Sequence, residues 1–170
     1  MRHTQTAFFY FFSILLSMNI FANIEMLKLD PGFKISIFAS DLDQPRQMIE
    51  SKNGTIFIGE RSGQIIALLD SDGNGQADSK RVIADDLTYS TGVSIFEGDL
   101  YFSEISKIWK IQDIENWLQK NSSGFPEKIL VTQDLPEDKW HGWKWLQHNA
   151  EGDIYTNVGA PCNICISENP

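Results

Sequence analysis

Gly54-Thr-Ile-Phe-Ile-Gly59, Gly98-Asp-Leu-Tyr-Phe-Ser103 and Gly152-Asp-Ile-Tyr-Thr-Asn157 are three versions of one unit, a turn glycine followed by a short β-type run. They recur at intervals of 44 and 54 residues. A strand-like stretch precedes each: Arg46-Gln-Met-Ile49, Gly92-Val-Ser-Ile-Phe96 and Lys144-Trp-Leu-Gln147. Two more follow the first unit, Gln64-Ile-Ile-Ala-Leu-Leu69 and Arg81-Val-Ile-Ala84, and two follow the second, Lys107-Ile-Trp-Lys-Ile111 and Lys128-Ile-Leu-Val131. Four short strands per unit at this period are the signature of β-propeller blades. No apolar 3.6-residue period survives across the glycines, which excludes a helical repeat. One or two helical turns are predicted at 113–120, where Ile114, Trp117 and Leu118 share a face before the Asn121-Ser-Ser-Gly124 loop. The alternating Phe33-Lys-Ile-Ser-Ile-Phe38 reads as a strand that could complete the outer edge of a last blade.

The predicted blades span 44–86, 90–133 and 141–170, the third with only its first two strands. The expected fold is therefore all-β, a partial propeller of about two and a half blades. A closed ring needs at least about four. The chain thus reads as the N-terminal part of a longer protein, and alone it would expose a strand edge prone to association.

The 170 residues, 42% hydrophobic and 22% charged, have a globular composition that excludes disorder, collagen and coiled coil. A net charge of -9 without a Lys/Arg run argues against nucleic acid or an anionic membrane surface as partner. Residues 1–22 pair a positive start at Arg2 and His3 with an apolar run ending near Ala22. They read as a signal peptide, which leaves a domain over 23–170, no membrane span after cleavage, and a periplasmic or secreted location. Export bears on Cys162 and Cys165, whose Cys-Asn-Ile-Cys spacing admits either free thiols or a small disulfide. Haem attachment is excluded because Ile166 follows Cys165, and a zinc site lacks a second ligand pair.

Two segments stand out as candidates for chemistry. In Trp140-His141-Gly142-Trp143-Lys144-Trp145 an imidazole lies among indoles just before the third blade's first strand. His141 could serve as an acid/base group, with Trp140 and Trp143 packing on sugar C–H faces and Lys144 donating a hydrogen bond. The same pattern also suits a strand cap beside core tryptophans. His148 reads as a surface residue of the turn that follows. The second segment, Asp70-Ser-Asp-Gly-Asn-Gly-Gln-Ala-Asp78, places oxygen ligands at Asp70, Asp72, Asn74 and Asp78, as an EF-type calcium loop does. Arg81 occupies the twelfth position, where a bidentate Glu belongs, so the loop is either a weak calcium site or a Gly/Asp turn.

Several segments together resemble the glucose/sorbosone dehydrogenase family: Leu42-Asp-Gln-Pro-Arg-Gln-Met-Ile49, Asn53-Gly-Thr-Ile-Phe-Ile-Gly-Glu-Arg61, Asp134-Leu-Pro-Glu137, His141-Gly-Trp-Lys144 and Val158-Gly-Ala-Pro-Cys-Asn-Ile-Cys165. The resemblance runs from about Leu27 to Cys165 and is closest to the sorbosone dehydrogenase-like branch. It implies an exported six-bladed propeller that uses pyrroloquinoline quinone (PQQ) and Ca2+ to oxidise a sugar or sugar aldehyde. His141 falls at the family's catalytic histidine, the general base on the substrate hydroxyl while hydride passes to the quinone. Trp140 stands where glucose-oxidising members carry an acidic residue, which favours a sorbosone-like substrate over glucose. The family's quinone contacts come from later blades, so the cofactor-binding residues of this chain are unknown. Two other classes fit a propeller of this kind: a non-catalytic sugar- or protein-binding module, and a calcium-dependent lactonase-like hydrolase.

Overall fold

The computed structural model describes residues 26–120, 123–160 and 162–164; the predicted signal peptide and Cys165 lie outside them. The chain divides into two compact units, 1–36 and 37–170. Of the first, the described part contains a turn in which Phe33 N–H donates to the Asp30 carbonyl (3.2 Å). Residues 33–38 form no strand. Alternation suits a strand, but a strand also needs an edge to bond, and Phe33, Ile35 and Ile37 are exposed instead.

Among the described residues the second unit holds ten strands and one short helix. Strands β1 (Pro45–Glu50), β2 (Ile56–Glu60), β3 (Gln64–Leu69) and β4 (Ser79–Ala84) form one antiparallel sheet in sequential order. Strands β5 (Val93–Phe96), β6 (Asp99–Ser103), β7 (Ile108–Ile111) and β8 (Ile129–Thr132) repeat it. Strands β9 (Leu146–His148) and β10 (Ile154–Thr156) make a third, two-stranded sheet. Each falls on one of the runs read from the sequence. The repeating glycines turn the first hairpin of each sheet: Gly54, Gly98 and Gly152 have φ of 85°, 90° and 93°, which a side chain rarely adopts.

The sheets stack face to face, as propeller blades do. Phe57, Ile65, Ala67 and Ile83 of the first pack with Val93, Leu100, Phe102 and Ile111 of the second in one buried cluster. Ile58, Ile66 and Leu68 bury the first sheet's other face against Phe38, Ala39 and Leu42. Burial on both faces explains why β2 and β3 are nearly continuous apolar runs rather than alternating ones. Helix α1 (Ile114–Gln119) joins β7 to β8 and buries Ile114 and Leu118. Its Glu115 accepts hydrogen bonds from Ser51 and Thr55, tying the second blade to the first blade's β1–β2 turn.

Gln47 links the three inner strands. Its side-chain N–H donates to the Leu146 carbonyl (2.8 Å), and its oxygen accepts from Val93 N–H (3.2 Å) and Leu146 N–H (3.0 Å). One buried amide of β1 thereby bonds β5 and β9. Among the described residues no helix is long and apolar enough to cross a membrane.

Candidate functional site

Antiparallel order puts the connections of each sheet alternately at its two ends. The β2–β3 turn and the β4–β5 and β8–β9 connections share one end. There Arg61, Tyr89, Lys139, Trp140, His141 and Trp143 line a cavity of about 520 Å3. The β1–β2, β5–β6 and β9–β10 turns and α1 share the other end, where Asn53, Glu97, Glu115 and Ala150 line a second cavity. The Asp70–Asp78 loop joins β3 to β4 and so belongs to that second end, away from His141.

His141 sits in a tight backbone bend at φ 54°. Its Nδ1 is 3.0 Å from the Ala160 carbonyl oxygen. A carbonyl only accepts, so Nδ1 carries the proton in this contact, and the neutral ring keeps a lone pair at Nε2. The Trp140 ring lies 5.0 Å away, tilted by 45°. Two glycines make the bend possible. A Cβ on Gly142 would meet Asp138 O at 2.0 Å, and one on Gly159 would meet His141 O at 1.9 Å.

From His141 the chain is extended, and side chains alternate: 141, 143 and 145 are exposed, while 142, 144 and 146 are buried. Trp140, Trp143 and Trp145 are 61%, 37% and 60% exposed, so these indoles are not blade core. Trp140 and Trp143 reach the cleft with His141; Lys144 does not line it. With its parity opposite to His141, Lys144 is 1% exposed, and its ammonium donates to Gly142 O (2.7 Å). Burial pulls its pKa below the usual lysine value, against the weaker opposing pull of Asp138.

Three cleft residues were not singled out from the sequence: Arg61, Tyr89 and Lys139. The Arg61 guanidinium lies between two rings, 5.4 Å from Tyr89 and 4.8 Å from Trp143. Only Lys139 was within reach of a local reading, as the neighbour of Trp140.

In the Asp70–Asp78 loop the carboxylates of Asp70, Asp72 and Asp78 each have an oxygen within 4.8 Å of the others. These groups cap the turn's own backbone. Asp70 accepts from Gly73, Asn74 and Gly75 N–H, and Asp78 from Ser71 N–H. The Gly75 bond is the main cause holding the Asp70 pKa below its ordinary value. Asn74 turns its amide to Asp72.

His148 differs from its expectation as a surface turn residue. It ends β9, opposite Ile154, and stacks on Phe96 (5.3 Å) beside Tyr101 (4.5 Å) from the second blade. Its Nδ1 is 2.7 Å from Ser94 Oγ. Cys162 takes part in a disulfide; Cys165, the partner suggested by the sequence, lies outside the described residues.

No protein-family profile matches the chain. A Borreliella burgdorferi protein described only as uncharacterized is 24% identical over 149 residues, which cover 82% of this chain and 37% of that protein. The holo form of a pyranose dehydrogenase PQQ domain from Coprinopsis cinerea superposes with a TM-score of 0.66 at 17% identity, over 81% of this chain and 33% of its own. A Trichoderma reesei carbohydrate-active enzyme of family AA12 is similar in two structures, each with a TM-score of 0.60. The iodide form is 17% identical, over 75% of this chain and 33% of its own; the calcium form is 16% identical, over 74% and 32%. The chain spans about a third of the length of these proteins. At such identities the likeness establishes the fold: two full β-propeller blades and the first two strands of a third.

Proposed function

We propose that the chain belongs to an exported PQQ-dependent oxidoreductase of sugars or sugar aldehydes, similar to the sorbosone dehydrogenases, with His141 as general base. The observation that carries this is the His141 imidazole, held through Nδ1 in an indole-lined cleft at one end of the blades. The fold shared with a PQQ domain and with AA12 enzymes supports it. In this reading the C–H face of the substrate packs on Trp140 and Trp143, which orients a hydroxyl toward His141. Nε2 takes the hydroxyl proton, and Ala160 O keeps the ring in the tautomer that can do so. PQQ with Ca2+, when bound, supplies the acceptor for the substrate's hydride.

The cleft fits such a cofactor in one respect: no carboxylate among the lining residues opposes its negative charge. The remaining cofactor contacts belong, by the resemblance, to later blades. The Asp70–Asp78 loop has no part in the chemistry, because it lies at the other end.

Protein supplied with PQQ and Ca2+ should reduce an artificial electron acceptor when given sorbosone or an aldose. His141→Ala should abolish that reduction while leaving the thermal midpoint near wild type. Undiminished reduction in the variant would remove His141 as base. Sugar affinity without turnover in the wild type would favour the binding-module reading, to which the exposed tryptophans lend support.

A further inference from the structure

The cleft has a concentration of positive charge that base catalysis does not use. Two guanidiniums share the Trp143 indole, Arg61 at 4.8 Å and Arg46 at 5.2 Å from the ring centroid. Lys139 lines the same cavity, and no Asp or Glu does. The ion pair found among the described residues, Lys110 with Asp99, is on the second blade. A chain of net charge -9 therefore gathers two cations, Arg61 and Lys139, in the cavity that holds His141, with Arg46 beside them at the Trp143 ring, and none has an ion-pair partner among the described residues.

Two like charges brought over one ring repel each other, a cost that a bound anion would remove. Attraction to the indole holds each guanidinium near the ring, and a guanidinium's N–H edge can meet a carboxylate two bonds at a time. Of Arg46's side-chain donors, one is engaged, with the Pro45 carbonyl at 3.2 Å.

We propose that Arg61, with Arg46 and Lys139, recognises the carboxylate of a uronic acid as the substrate class of this cleft. The inference rests on the cleft being the sugar site. The sugar's C–H face lies on the indoles, and its acid group on the guanidiniums. A neutral sugar would leave these cations unpaired and bind more weakly.

The test is a calorimetric titration of the full chain with D-glucuronate, D-glucose and PQQ separately, at low and at raised salt. Glucuronate should bind at least about tenfold more tightly than glucose, with a preference that salt weakens. Arg61→Gln should remove the preference, Arg61→Lys should reduce it, and both should keep the wild-type thermal midpoint. Equal affinity for the two sugars would overturn the proposal, as would a preference that survives Arg61→Gln. It also falls if PQQ, and not glucuronate, depends on Arg61, for the cations then serve the cofactor. The sugar titrations contain no quinone. Lost preference with intact dye reduction therefore sinks only this inference, whereas glucuronate binding without dye reduction on glucuronate, sorbosone or an aldose sinks only the dehydrogenase reading.

Discussion

His141 depends on what its neighbours lack. Its carbonyl approaches Gly159 so closely that a methyl group there would fall 1.9 Å from the oxygen. Gly159→Ala must therefore displace the His141 backbone or the 157–160 segment that carries Ala160. Misplacing a base by about 1 Å can cost on the order of a hundredfold in rate. On the proposed role of His141 as base, a loss of that order in dye reduction is expected for Gly159→Ala, measured beside a thermal melt to show that the protein is folded; an unchanged rate would mean that the segment yields without displacing the imidazole. Lys144 shows the same dependence on position in the opposite sense. Its neighbour Trp143 is a cleft residue, yet one step in an extended chain turns a side chain to the other face.

At the scale of elements, each blade fastens the connection leading into it by the same device. Glu60, at the end of β2, accepts Asp43 N–H (2.8 Å), and Glu104, just after β6, accepts Thr88 N–H (2.8 Å). Asn157, just after β10, accepts Trp145 N–H (2.6 Å) and donates to Trp143 O (2.9 Å). The second strand of a blade so positions the loop that forms the cleft. Strand β9 also carries a titratable group into the blade interface. Burial lowers the His148 pKa from 6.5, and its Nε2 has no hydrogen-bond partner among the described residues. The unfolded chain then takes up a proton at higher pH than the folded one, so stability falls as pH drops from 6.5 toward the lower folded value. The thermal midpoint should decrease between about pH 7.5 and about pH 5.5, and His148→Phe should flatten that decrease. An equally steep profile in the variant would assign it to other groups.

Across the whole molecule, the inner strands are held together through Gln47. Gln47→Ala would leave Val93 N–H and both backbone groups of Leu146 without their partner. Unsatisfied buried groups cost about 1–3 kcal/mol each, so a loss on the order of 3 kcal/mol is expected in urea unfolding. A loss below about 1 kcal/mol would mean that water or relaxed backbone replaces the amide. Nothing near Gln47 in sequence marks this role, because its partners lie 46 and 99 residues away. The strands were legible for the opposite reason. Turn glycines, β-branched runs and the change to helical spacing at 113–120 are local signals, and every element that forms lies on one, although the alternating run at 33–38 forms none.

By itself, then, the sequence determined the ten strands, the short helix, the blade period and the imidazole among indoles at 140–145. These rest on backbone preferences and side-chain periodicity within a few residues. Tertiary structure decided which side chains meet. It brought Arg61 of the β2–β3 turn and Tyr89 of the β4–β5 connection to His141, placed Lys144 inside, drew His148 between Phe96 and Tyr101, and put the Asp70–Asp78 loop at the far end. Such contacts follow from how successive sheets stack and which end each connection occupies, and no window of local sequence contains that information.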